Sequence, residues 1–185
     1  MIIASQKRKE NIAEYLLYMW QVEDMIRANG LDIDRIKANI IDKFPDLTEE
    51  QRKQMTEWYE SLIDMMRREG VTESGHLQIN KNVMADLTDL HKELLADPRF
   101  GDYQSLYYKT LPYIVELRAK AGDKAEDEIP TCFVALYGML MMRLKGQKLS
   151  PETEAAMKHI TQFIATLAAY YKKNETKPLF TPTEE

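Results

Sequence analysis

The segment from Asn11 to Gly30 constrains the fold most, because its apolar residues repeat at helical intervals along its whole length. Ile12, Tyr15, Leu16, Met19, Val22 and Ile26 follow steps of three and four that align them on one face of an α-helix. Leu17 and Trp20 widen that face towards half the circumference. A helix this apolar has to be covered by others. With 185 residues, 44 % of them apolar, the chain is long enough to supply that cover as one domain. Only seven Gly and seven Pro imply few turns and long elements, and no segment shows the alternation of a half-buried strand. The expectation is an all-α, single-domain, multi-helix bundle.

Glycine and proline punctuate the chain. Gly30, Gly70, Gly122 and Gly146 each follow a periodic run and suit the left-handed position just past a helix end. Asp32 reads as an N-cap, Thr48 with Gln51 as a capping box, and Ser150-Pro151 as an N-cap followed by proline at the first helical position. About seven helices are predicted, over 7–29, 32–43, 48–69, 75–96, 102–121, 128–145 and 151–173. The domain then spans 1–173, with 174–185 a tail, flexible or docked. The sixth helix is apolar nearly all round from Pro130 to Leu144, so it is expected at the centre beside the first, with Gly138 allowing a close crossing. The fifth contains Pro112, yet Tyr103, Leu106, Tyr107, Leu111, Ile114 and Val115 keep one phase across it, which predicts one kinked helix.

Composition narrows the function classes. The single cysteine, Cys132, lies in an apolar run and reads as a small buried hydrophobe, which suits a reducing compartment. Met1–Ala4 precedes Lys7-Arg8-Lys9, the reverse of the basic-then-apolar order of a signal peptide. Ile129–Met142 is too short to span a bilayer. The expectation is a cytoplasmic protein with no membrane partner, and a net charge of −5 opposes non-specific binding to nucleic acid.

Three stretches carry a family resemblance: NIAEYLLYMWQVEDMIRA (11–28), LADPRFGDYQSLYYKTLPYIVELRAKAG (95–122) and VALYGMLMMRLKGQKLSPET (134–153). With them the chain resembles an uncharacterised family of Bacteroidetes proteins of about this length, catalogued as a domain of unknown function. The resemblance implies a bacterial, cytoplasmic protein and supplies no activity, cofactor or site residue.

Candidate chemistry therefore has to come from the side chains. His76, His91 and His159 lie on three different predicted elements, and no two share the spacing of a metal-ligand pair. Glu73-Ser-Gly-His76 has the letters of a Glu-x-x-His pair, but Ser-Gly at a helix start does not hold both side chains inward, and there is no second copy. No metal or cofactor is expected, and the histidines are read as surface or singly bonded. On the first helix Asn11, Glu14, Tyr18 and Gln21 form a polar stripe beside the apolar face. Facing a cavity, Glu14 would bind a cation or act as a general base, with Tyr18 and Gln21 orienting a ligand. Tyr103, Tyr107, Tyr108 and Tyr113 crowd the fifth helix beside Arg99 and could line a pocket or anchor a partner. No Gly-x-Ser-x-Gly motif or glycine-rich phosphate loop is present.

Three functional readings follow. The first is a non-enzymatic protein that associates with itself as a homodimer, or with a protein partner, through spare apolar surface on the third or fifth helix; Trp58, Tyr59, Met65, Met66 and Tyr103 are its interface candidates. The second is a small-molecule-binding bundle with a pocket between the first and fifth helices, lined by Glu14, Tyr18, Gln21, Tyr107 and Tyr108. The third is a carboxylate enzyme in which Glu14 and a second acid such as Glu116 converge in one cleft.

Overall fold

A computed structural model describes residues 2–122 and 126–180, and among them only helices and turns occur. The described residues form eight α-helices: α1 (Ile2–Glu10), α2 (Ile12–Ala28), α3 (Ile33–Asn39), α4 (Glu49–Arg68), α5 (Gln78–Ala96), α6 (Gly101–Ala121), α7 (Glu128–Leu144) and α8 (Pro151–Thr176). Short 3₁₀ turns, Ile41–Lys43 and Pro98–Phe100, follow α3 and α5.

The predicted starts form as the residue types dictate. The Thr48 hydroxyl accepts from the Gln51 amide while the Gln51 side chain accepts from the Thr48 amide, closing the capping box of α4. Ser150 caps α8 ahead of Pro151, and Asp32 caps α3. Gly30, Gly70, Gly122 and Gly146 all have φ between +58° and +69°. At Gly70 this left-handed turn lets the Val71 amide reach back to the Met66 carbonyl and stop α4.

The first predicted helix is two. Asn11 adopts an extended conformation (φ −154°, ψ 106°), and its side-chain oxygen accepts from the amides of Ala13 and Glu14, so α2 starts afresh there. An asparagine that can cap outcompetes continuation of the helix at that point. α6 runs unbroken through Pro112, as one helix. α8 is three residues longer than expected, to Thr176 rather than 173. Part of the predicted tail is docked. The Leu179 amide donates to the Asn174 side chain, and Phe180 packs on Phe100 at 5.5 Å. Residues 181–185 lie outside the described residues.

α2 is central, as its periodicity demands, burying Leu16, Met19, Val22 and Ile26. α7 shares the centre only through its first half, where Ile129, Cys132, Phe133 and Leu136 are buried. Its outer side is open: Val134 is 54 % exposed, and a Cβ on Gly138 would meet nothing within 4 Å, so the close crossing expected there does not exist. The helix that packs against α2, α5, α6 and α7 together is α8, through Ile160, Phe163, Ile164 and Leu167. A helix apolar all round carries no polar face to say which side meets solvent, whereas the amphipathic α8 does.

Candidate functional site

Between α4 and α5 the chain crosses the end of α2, and this crossing builds the site. Leu77 stands at the N-cap of α5 and has no side-chain oxygen to offer the helix's free amides. Two carboxylates from elsewhere serve instead. Glu69 accepts from the Gln78 amide at 2.7 Å, and Glu23 of α2 accepts from the Leu77 amide at 2.9 Å. A helix N-terminus favours negative charge, which suits both acids.

Glu23 is 0 % exposed. A buried carboxylate is costly unless every lone pair finds a donor. Besides the Leu77 amide, Oε1 accepts from Asn80 Nδ2 at 2.6 Å, and Oε2 accepts from His76 Nδ1 at 2.6 Å. The His76 ring stacks on Trp20 at 4.2 Å and 11°. With Nδ1 donating to the carboxylate, the other ring nitrogen, Nε2, is the one left for an outside partner.

A second row of contacts holds this arrangement. Arg27 donates to the carbonyls of Val71 and Gly75, tying down the segment that carries His76, and also to Asp24 at 2.9 Å. Asp24 in turn accepts from the Tyr137 hydroxyl at 2.6 Å, and the Tyr137 ring meets Trp20 edge-on at 5.6 Å. Burial, and then this bond to Asp24, push the Tyr137 phenol well above its ordinary range. Trp20, His76 and Asn80 border an open cavity of about 560 Å³, lined also by Met84, Pro130 and Val134 and by Lys81, Arg118, Glu126 and Asp127.

Unpartnered polar atoms gather at the same place. Among the described residues, three buried side-chain polar atoms lack a hydrogen-bond partner: Oδ1 of Asn80, Nε of Arg118 and Nε of Arg27. Two belong to residues on the cavity wall and the third to the arginine that braces it. Each such atom costs about 1–3 kcal/mol, so their gathering at one cavity is a departure from stability-optimised packing.

A second polar cluster lies inside the bundle. His91 bonds through both ring nitrogens, Nδ1 to the Tyr103 hydroxyl at 2.7 Å and Nε2 to Glu128 at 3.3 Å, and Tyr107 donates to Glu128 at 2.8 Å. Every polar end here has a partner, and Phe163 packs on His91, Tyr103 and Tyr107. The cluster ties α5, α6 and α7 together by hydrogen bonds, with α8 packed on it through Phe163. Burial lowers the His91 pKa from that of an ordinary histidine, outweighing the hydrogen bond and charge of Glu128, which act the other way. The unfolded chain therefore binds this proton more readily than the folded one. The stability carried by the neutral ring is complete above the unfolded value of about 6.5 and is lost as pH falls below it. Urea titrations at descending pH are expected to show a falling midpoint, with a shallower fall in His91→Gln; superimposable slopes would remove His91 as the cause.

The residues expected to form a site are dispersed. Glu14 is a surface group paired with Lys7 at 3.1 Å. Tyr18 borders a different, small cavity with Phe44, Leu47 and Met55, and Gln21 is half-buried. Tyr107 belongs to the His91 cluster, while Tyr108 points outward. These five do not share one pocket, because the apolar face of α2 is taken up by the core and leaves its polar stripe at the rim. Glu116 pairs with Lys120 at 2.6 Å beside Ser150 and does not meet Glu14. Of the interface candidates, Tyr59, Met66 and Tyr103 are buried in the chain's own core, and Trp58 and Met65 are half-buried. His91, read as surface or singly bonded, is neither. Cys132 is buried, and burial pushes its thiol up to about 12, as a small hydrophobe's environment requires. Glu23 and Asn80, which make the site, were not among the candidates. The available signal was an acid in phase with the apolar face of α2, at Met19, Glu23 and Ile26.

Among the described residues, no His, Cys, Asp and Glu side chains gather in a group of three or more that could hold a metal ion, and no helix is long and apolar enough to cross a membrane. The fold and the cavity define an all-helical domain with one carboxylate-braced imidazole at its surface. The chain belongs to the family described as Domain of unknown function (DUF4924), whose model matches residues 1–178. Neither the curated proteins nor the solved structures contain a match to it.

Proposed function

We propose that this is a small-molecule-binding protein whose site is the cavity of Trp20, His76 and Asn80. One observation carries the reading: Glu23, wholly buried, spends its carboxylate on orienting an imidazole and an amide that both border that cavity. The volume of about 560 Å³ falls within the range of roughly 300–1,000 Å³ that small-molecule sites occupy. The site therefore differs from the α2/α6 pocket expected on sequence, although the class of function is the same as one of those three readings.

The test is thermal melting of the chain against a library of common metabolites, beside Val134→Trp, which puts an indole where Val134 lines the cavity. A ligand at 100 times its Kd adds about 2.7 kcal/mol. That corresponds to a rise of roughly 5–10 °C for a domain of this size. At least one compound is expected to raise the wild-type midpoint and leave the Val134→Trp midpoint unchanged. A library in which no compound separates the two proteins contradicts the reading.

Self-association is a second reading, supported by the outer face of α6, where Tyr108 and Val115, two helical turns apart, are 65 % and 55 % exposed. Sedimentation equilibrium at high micromolar concentration is expected to show a dimer that Tyr108→Glu dissociates; monomer alone removes it. We also read the protein as bacterial and cytoplasmic, supported by the family resemblance and by the free, buried thiol of Cys132.

A further inference from the structure

We infer that the cavity takes a small zwitterion with an apolar body, an amino acid or short peptide with apolar side chains. This rests on the cavity being a binding site, and adds what it selects. Two residues of its wall, Asn80 and Arg118, each hold an enclosed polar atom without a partner, and the two atoms have opposite sense. Asn80 has spent its Nδ2 on a carboxylate that only accepts, so the atom left over, Oδ1, is an acceptor. Arg118 holds Nε, a donor, enclosed and without a partner among the described residues. A ligand that satisfies both brings an N–H group to one and a carboxylate or carbonyl oxygen to the other.

His76 strengthens the first half of that requirement. With Nδ1 donating to Glu23, Nε2 is the ring nitrogen left over, and whenever the ring is neutral it is a second acceptor beside Asn80. Two neighbouring acceptors suit an ammonium group, which has several N–H bonds to give. The edge of the cavity is mixed in sign, Lys81 and Arg118 against Glu126 and Asp127. Their formal charges cancel, which matches a ligand carrying one charge of each sign better than an anion or a cation. Between these ends, Trp20, Met84, Pro130 and Val134 offer apolar wall to a hydrocarbon body.

Isothermal titration of the full chain with four probes tests this. Phenylalanine and the dipeptide leucylphenylalanine keep both charges, 3-phenylpropionate lacks the ammonium, and phenylalanine amide lacks the carboxylate. At least one zwitterion is expected to bind tenfold or more tightly than both single-charge probes, and the stronger of the two says whether amino acid or peptide is the ligand. Arg118→Gln, on a half-exposed side chain and checked for an unchanged melt, is expected to erase the advantage over phenylalanine amide. Equal binding of 3-phenylpropionate and the zwitterions, or an advantage that survives Arg118→Gln, overturns the zwitterion class. So does the absence of binding by all four probes when a library compound still stabilises wild type and not Val134→Trp; there the binding site stands and this inference falls. No binding in either assay ends both.

Discussion

Glu23→Ala is expected to lower the melting temperature by roughly 10 °C, whereas Glu14→Ala, nine residues earlier on the same helix, is expected to leave it nearly unchanged. Removing Glu23 strands the buried Leu77 amide and Asn80 Nδ2, and takes the partner from Nδ1 of the half-buried His76. Each buried donor left without its acceptor costs about 1–3 kcal/mol, so about 2–6 kcal/mol is expected for the two amides. A domain of this size changes by about 2–4 °C per kcal/mol. Glu23→Gln keeps the volume but turns one acceptor into a donor that faces other donors, so about 1–3 kcal/mol is expected. Glu14 has a surface pair with Lys7, 60 % exposed on the carboxylate side, and a long contact from the Asn11 side-chain amide at 3.5 Å, and a change within about 0.5 kcal/mol is expected there. Equal costs for the two alanine variants, measured by reversible thermal unfolding, would mean that Glu23 does not brace the site.

Phe163→Ala is expected to be as damaging, by about 3–5 kcal/mol. Its ring is fully buried on α8 and lies 5.7 Å from His91, 5.6 Å from Tyr103 and 5.9 Å from Tyr107. The void would open beneath a hydrogen-bonded cluster that has no spare geometry. Phe163→Leu, which refills most of the space, is expected to cost less than about 1.5 kcal/mol. Urea unfolding of the pair gives the difference. If leucine and alanine cost the same, shape at this position is not what holds α5, α6 and α7 against α8.

What could be read from the sequence was local. Thr48 with Gln51, Ser150 with Pro151, and Gly70 each act through residues within a turn of themselves, and the helices they bound begin and end where those residues stand. The apolar phase of α2 likewise needed no knowledge of its neighbours. Two helices defeated the same reasoning. α7 is apolar on every side, so nothing in its sequence says that Val134 meets solvent while Phe133 does not. At Asn11 the capping tendency of one side chain competed with a helical phase that continues on both sides, and the cap won.

The site was hidden for a different reason. Glu23 looks like an ordinary acid in a mostly apolar helix, and its three partners lie 53 to 57 residues further on. His76 sits in the turn before α5, not on a helix, so helical spacing rules said nothing of it. Leu77, a poor N-cap by residue type, was the local sign that α5 is capped from elsewhere. Glu14, Tyr18 and Gln21 do share a stripe, but a stripe at the edge of a buried face ends at the rim unless a neighbouring helix stands away from it.

The bond from His76 to Glu23 is the hinge of the site, and nitrogen-resolved NMR of the imidazole reads it directly. In the neutral ring, the proton is expected on Nδ1, protected from exchange by the buried carboxylate, with Nε2 bare and its resonance moved when a ligand enters the cavity. A proton resident on Nε2, or two nitrogens averaged by free rotation of the ring, would contradict a fixed acceptor facing the cavity.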